Sequence, residues 1–166
     1  MGDFMKDNQN KGNAGEYYVA YILSAKGFTT TITLGRAEAY DILAVTPDGK
    51  RTIKIQVKTG WGLKNNTWRI GEKAENIFSD DFYYVFLNLY NLEKEPEFWV
   101  VKSNFLSKYI KERHIMWLEK PGLKGQKHND NPVRTFNLFK DNYTPEKYIK
   151  DIDNIMNNKG KIDILY

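Results

Sequence analysis

Two short strands joined by a tight turn constrain this chain more than any other feature of its sequence. The first strand is predicted over residues 41–45, where Asp41 precedes the apolar run Ile42-Leu43-Ala44-Val45. The second is predicted over residues 51–59, and Thr46-Pro47-Asp48-Gly49-Lys50 lies between them. Proline presets φ for a turn and glycine suits the position that needs a positive φ, so the pattern predicts a β-hairpin.

The open end of this hairpin brings three polar residues together. Gln56 and Lys58 project from the same face of the second strand, because side chains alternate along a strand. Antiparallel pairing sets the start of the first strand, Asp41, beside the end of the second. A carboxylate, an amide oxygen and an ammonium at one point would form a site for a divalent cation next to a phosphodiester.

This arrangement resembles the core motif of the PD-(D/E)XK nuclease superfamily, in which an acid and a hairpin precede Glu/Gln-x-Lys. Here the motif reads Asp41…Gln56-Val57-Lys58, in the glutamine variant seen in Mrr-like and some transposase-type members. The superfamily often carries a Glu in the helix before the hairpin, and Glu16, at the end of Lys11-Gly12-Asn13-Ala14-Gly15-Glu16, fits that role. The resemblance covers roughly residues 11–60, with a looser match to two later strands.

The resemblance implies both a fold and an activity. The fold is α/β, with a restriction-endonuclease-like mixed central sheet flanked by helices. The activity is metal-dependent hydrolysis of a phosphodiester by a DNA endonuclease, in repair, recombination or defence, with Mg²⁺ or Mn²⁺ as cofactor. The implied catalytic residues are Glu16, Asp41, Gln56 and Lys58, and the first three would hold the metal.

Composition excludes several other classes of protein. The chain has no cysteine, which rules out disulfides, zinc fingers, thiol nucleophiles and iron–sulfur sites. Its two histidines, His114 and His128, are too few and too far apart for a histidine-based nuclease or zinc hydrolase. No apolar run approaches the ~18–20 residues that span a membrane, and the N-terminus does not read as a signal peptide, so a cytoplasmic location is expected.

Periodicity and turn signals predict a single domain over residues 1–166, with a flexible arm (1–10), a core (11–102) and a C-terminal helical and loop region (103–166). A helix is predicted over 13–26, ending at Gly27, followed by strands over 28–34, 41–45, 51–59, 82–89 and 97–101. Residues 61–70 fit either a strand or an ordered loop. Helices are predicted from Ser103 to about Lys111 and from Thr144-Pro145 to about Asn157, with a long loop over 119–134 between them.

Each site residue also has a plain structural interpretation. Asp41 could be an exposed residue at the strand edge, Gln56 could face solvent, and Glu16 could serve only as a charge near the helix N-terminus. Alternation of apolar residues with Lys54, Gln56 and Lys58 is also the pattern of any half-exposed strand. That interpretation is the main rival to a catalytic site.

Basic and aromatic residues near the motif could hold DNA. The nucleic-acid-binding candidates are Arg36, Lys54, Lys64 and Trp61, although such tryptophans are more often core residues. A net charge of +4 permits this partner without indicating it. No second domain for sequence recognition is evident, so the protein would read DNA structure or rely on a partner or a homodimer. The alternative is a catalytically weak or inactive nucleic-acid-binding or assembly module, which Gln56 in place of Glu keeps open.

Overall fold

The computed structural model describes residues 8–33, 40–63, 65–122 and 124–166. It opens with helix α1, Asn8–Ala25, which ends at a turn containing Gly27 as predicted. The helix begins at Asn8 rather than at residue 13, so residues 8–10 of the predicted flexible arm are helical. Residues 1–7 of that arm lie outside the described residues.

The central sheet contains strands β1 (Thr29–Ile32), β2 (Ile42–Val45), β3 (Thr52–Gly60), β5 (Phe82–Asn88) and β6 (Glu97–Lys102). Their order across the sheet is β1-β2-β3-β5-β6. β3 and β5 run parallel, whereas the other neighbouring pairs run antiparallel. The sheet is therefore mixed, and helices flank it. The predicted α/β class, with a mixed central sheet flanked by helices, is confirmed.

The predicted hairpin joins β2 to β3. The Gly49 N–H donates to the Thr46 carbonyl at 2.8 Å, and the Thr46 N–H donates to the Arg51 carbonyl at 2.9 Å. Gly49 has a φ of +72°, a conformation that glycine adopts without steric cost. The Thr46 hydroxyl donates to the Asp48 carboxylate at 2.6 Å, which holds the turn closed. The turn chemistry thus fixes the register on which the site depends.

The protein has a second sheet of two strands, and the sequence indicated only one of them as a possible strand. β4 (Thr67–Gly71) lies within the segment that fitted either a strand or a loop, and it pairs antiparallel with β7 (Val133–Asn137). β7 overlaps the end of the predicted loop over 119–134, so that loop is shorter than expected. We call this pair the β4–β7 ribbon.

Apolar clusters fill both faces of the central sheet. One contains the inner side of α1 together with Ile55 and Val57 of β3. The other contains Tyr84 and Phe86 of β5 together with side chains of the β4–β7 ribbon and of helix α2 (Ser103–Glu119). Because paired residues share a face of the sheet, this second face is also the one that Gln56 and Lys58 occupy.

Each C-terminal helix differs from its predicted bounds at one end: the first ends later than predicted, and the second begins at Ile149 rather than at Thr144-Pro145. α2 extends to Glu119, well beyond the predicted end near Lys111, because Arg113 and His114 are buried on its inner side and do not end the helix. Helix α3, Ile149–Asn157, ends where predicted and follows a short 3₁₀ turn. No helix among the described residues is long and apolar enough to cross a membrane.

Candidate functional site

The predicted site residues lie at an opening along β3, where β2 has ended. The outermost pair of β2 and β3 is Ile42 with Ile55, while β5 continues beside β3 as far as Gly60. Residues 56–60 therefore have no β2 partner. The first turns of α1 border this stretch instead, across a cavity of about 530 Å³ that Lys58 also lines.

Asp41 reaches across this opening to β3. Its carboxylate accepts the Val57 N–H at 2.7 Å through Oδ2, and it accepts the Gln56 Nε2 at 3.0 Å through Oδ2 and 3.2 Å through Oδ1. The Asp41 N–H donates to the Ile55 carbonyl at 2.9 Å, which fixes the backbone. Asp41 is half-buried, so it is not the freely exposed strand-edge residue of the plain interpretation.

The orientation of the Gln56 amide decides what this pair can bind. The amide nitrogen faces Asp41, so its carbonyl oxygen points away from the carboxylate. A rotation of the amide by half a turn would bring Oε1 toward Asp41, and the two groups would then present only oxygens. Oxygen ligands of this kind suit hard cations such as Mg²⁺. In its present orientation, the pair is a closed hydrogen-bonded unit.

Glu16 and Lys58 complete the charged group. Burial raises the pKa of the Glu16 carboxyl, the negative charge of Asp41 raises it further, and Lys58 acts in the opposite direction. Burial lowers the pKa of the Lys58 ammonium, against the opposing effect of Asp41 and Glu16. Neither Glu16 nor Lys58 has a hydrogen bond or an ion pair with another described residue. The charges of these side chains therefore interact electrostatically, while no hydrogen bond or ion pair with a described residue fixes Glu16 or Lys58 in position.

A close approach between α1 and β3 sets the position of Glu16. A Cβ added to Gly15 would lie 1.9 Å from the Thr59 Oγ1, so only glycine fits at this point of the helix. The Thr59 hydroxyl is buried and has no hydrogen-bond partner among the described residues. Glu16 follows Gly15 directly, so this contact holds its backbone next to the end of β3. Sequence reasoning missed both residues.

The oxygen atoms of the candidate ligands are of the type that hard cations prefer. Within the described ranges, no group of three or more histidine, cysteine, aspartate or glutamate side chains could hold a metal ion. The candidate ligands are instead the carboxylates of Asp41 and Glu16 and, after a half-turn of its amide, the oxygen of Gln56. Burial is the main cause of the raised pKa of Glu16, and the nearby charge of Asp41 adds to it; a divalent cation between the two carboxylates would offset both effects.

The remaining predicted residues are only partly described. Lys54 forms an ion pair with Asp81 at 3.3 Å, at the other end of β3 from Lys58. Trp61 packs partly against the apolar cluster that includes α1, which favours the core interpretation of that residue. Arg36 and Lys64 lie outside the described residues.

Two basic residues at the site were not predicted. Lys11 and Arg69 both line the cavity that contains Lys58. Lys11 stands one helical turn before Gly15, and Arg69 occupies an outward position of β4 between the buried Trp68 and Ile70. In the sequence, the alternation of apolar Trp68 and Ile70 with Arg69 indicates that Arg69 faces outward from a strand.

The chain resembles known proteins in structure and not in sequence. No protein-family model matches the chain, and no curated protein matches it at a significant level. Among solved structures, the bacterial homing endonuclease I-Ssp6803I aligns with a TM-score of 0.47 and 19% sequence identity, over 62% of this chain and 74% of that chain. Similarity at this level does not bear on the activity of this chain.

Proposed function

We propose that this protein is a PD-(D/E)XK-type nuclease that hydrolyses phosphodiester bonds in DNA with the help of Mg²⁺ or Mn²⁺. The observation that carries the proposal is the direct contact of Asp41 with Gln56, at the opening where Lys58 and Glu16 also lie. If β3 were only a half-exposed strand, nothing in its own structure would require the carboxylate of Asp41 and that of Glu16 from α1 at the same point.

Each of the four side chains has a role in this proposal that follows from its chemistry. Asp41 and Glu16 supply negative charge, and Gln56 supplies a neutral oxygen once its amide has turned. Lys58 lies two residues beyond Gln56 on the same face, where its ammonium would stabilise charge that develops on the phosphate during hydrolysis. Partial burial strengthens this effect, since charges interact more strongly away from water.

Asp41, Gln56 and Glu16 would hold the metal ion. When bound, such an ion polarises the phosphate and lowers the pKa of a water molecule. The chain's own residues keep the site in shape. The Val57 N–H anchors Asp41, and the Gly15 contact with Thr59 holds Glu16 close by.

Asp41→Asn tests the proposal better than Asp41→Ala. Alanine would leave the Val57 N–H without its acceptor, at a cost of about 1–3 kcal/mol, and a loss of activity could then reflect a damaged sheet. Asparagine keeps an oxygen for that N–H and removes the charge, while its second oxygen position becomes an NH2 group. The control is Asp151→Asn, on the exposed start of α3.

The measurement is cleavage of labelled duplex, branched and single-stranded DNA with Mg²⁺, Mn²⁺ or EDTA. We expect the wild type and Asp151→Asn to cleave at least one substrate with metal and none with EDTA. Asp41→Asn should lose the activity while keeping its melting temperature within a few degrees. Cleavage by Asp41→Asn at the wild-type rate would contradict the proposal.

A second candidate is a nucleic-acid-binding or assembly module without turnover. The observation that favours it is that Asp41 is already satisfied by Gln56 and the Val57 N–H, so the pair is complete without a cation. In this case the wild type would bind DNA but cleave none of the three substrates with either metal.

A further inference from the structure

Arg69 differs from the other arginines that the structure describes. Arg51, Arg113 and Arg134 each donate hydrogen bonds to oxygen atoms of other residues. Arg69 is exposed and has no hydrogen bond or ion pair with any described residue. An arginine without an internal partner has its full donor set available for a ligand.

The fold aims Arg69 away from the core. Its neighbours Trp68 and Ile70 are only 4% and 5% exposed, so the alternation of β4 turns Arg69 to the outer face of the β4–β7 ribbon. On that face it pairs with Thr135 of β7. The ribbon backbone therefore holds Arg69 in place even though its guanidinium is free.

Arg69 is common to two cavities. The first is the cavity of about 530 Å³ that contains Lys58 and Lys11. The second, of about 430 Å³, is lined by side chains that include Arg113, His114 and Thr135. Arg113 and His114 are more than nine-tenths buried, and they are held by Asp141 and Asp130 respectively. Arg69 thus stands at the boundary between the cavity that Lys58 lines and a second polar cavity.

We propose that Lys11 and Arg69 bind backbone phosphates next to the one that is cleaved, and that the nucleic-acid strand leaves the site across the β4–β7 ribbon toward the second cavity. The proposal rests on the proposed function for the identity of the ligand. It adds a strand path and two phosphate-binding residues to it.

Charge and shape support a polymeric ligand over a single free phosphate. Arginine binds phosphate through two parallel N–H donors, and the ribbon presents this group at the boundary of two open cavities. A free phosphate beside Lys58 would need only the first cavity. A strand that continues past the site would contact Arg69 next and then reach the second cavity.

The salt dependence of DNA binding tests this path. Binding of a labelled duplex in Ca²⁺ is measured by fluorescence anisotropy at several salt concentrations, for Arg69→Ala and for Lys150→Ala. Lys150 is an exposed residue of α3 that lines neither cavity, so its substitution removes the same charge elsewhere. Loss of one phosphate contact reduces the slope of log K against log salt by about 0.9. We expect that reduction for Arg69→Ala and none for Lys150→Ala.

A variant that adds a positive charge controls for the possibility that Arg69→Ala weakens DNA binding only by unfolding the protein. Thr135→Lys adds a cation beside Arg69 on the ribbon, so it should tighten binding and steepen the slope by about 0.9. Equal slopes for Arg69→Ala and Lys150→Ala, or no effect of Thr135→Lys, would overturn the path. The proposed function can fail separately, since a protein that binds through Arg69 but cleaves no substrate keeps the path and loses the nuclease.

Discussion

Replacing Gly15 with alanine should destabilise the protein, although alanine is the better helix former. The new Cβ would lie 1.9 Å from the Thr59 Oγ1, 2.9 Å from its Cβ and 3.0 Å from its Cγ2. The Thr59 Cβ does not move when its side chain rotates, so rotation cannot remove the contact at 2.9 Å. The helix must therefore move away from β3, and overpacking of this kind costs about 1–3 kcal/mol.

Gly12→Ala in the same helix is a matched control. Its Cβ would meet no atom within 4 Å, so it should gain the helical preference of alanine over glycine, about 1 kcal/mol, without a clash. Both variants share this gain, and the difference between them isolates the steric cost. A change of 1 kcal/mol shifts the melting temperature by about 2–4 °C in a chain of this size. Gly15→Ala should therefore melt at least 2 °C, and up to about 12 °C, below Gly12→Ala.

Thermal unfolding followed by circular dichroism measures this difference. Thr59→Ala removes a buried hydroxyl that has no hydrogen-bond partner in the described part of the chain, so by itself it should cost little stability. In the Gly15→Ala background it should restore part of the lost stability, with a coupling of about 0.5–3 kcal/mol. If Gly15→Ala were as stable as Gly12→Ala, the tight contact that sets the position of Glu16 would not exist.

Other predictions concern the charges of the site. Gln56→Glu adds a carboxylate beside Asp41 and should raise the affinity for Mn²⁺ in calorimetry; a fall in affinity would mean that residue 56 does not face the cation. Burial and the charge of Asp41 raise the pKa of Glu16, so the folded protein is less stable when Glu16 is charged. This loss of stability disappears as the pH falls below the ordinary pKa of glutamate, because Glu16 is then protonated in both the folded and the unfolded protein. Glu16→Gln should therefore raise the melting temperature of the metal-free protein at pH 7, by an amount that shrinks toward pH 4. An equal shift at both values would show that the charge of Glu16 is not responsible.

The parts of the fold that sequence could predict are those determined by neighbouring residues. The hairpin follows from Pro47, Gly49 and the alternation of β3, and its register alone sets Asp41 opposite Gln56. The contact of the Asp41 carboxylate with the Val57 N–H was not foreseen. It depends on β2 starting just after Asp41, which leaves that N–H without a strand partner.

Other features depend on residues far apart in the chain. β7 becomes a strand because it pairs with β4, and the segment before it carries little periodicity. α2 continues through Arg113 because Asn137 and Asp141 accept its donors. The contact of Gly15 with Thr59 is visible only when α1 is packed on β3. Propensity and spacing carry no information about these long-range partners.

The most direct test of the nuclease claim is to compare cleavage with binding for Lys58→Ala. In the enzyme, Lys58 acts on the transition state, so single-turnover cleavage in Mn²⁺ should slow by about 100-fold or more. DNA affinity in Ca²⁺ should change little, and Lys150→Ala should match the wild type in both measurements. If Lys58→Ala cleaves as fast as the wild type, the catalytic account is wrong. It is also wrong if the substitution only weakens binding and lowers the salt slope by about one contact, because Lys58 is then a phosphate contact.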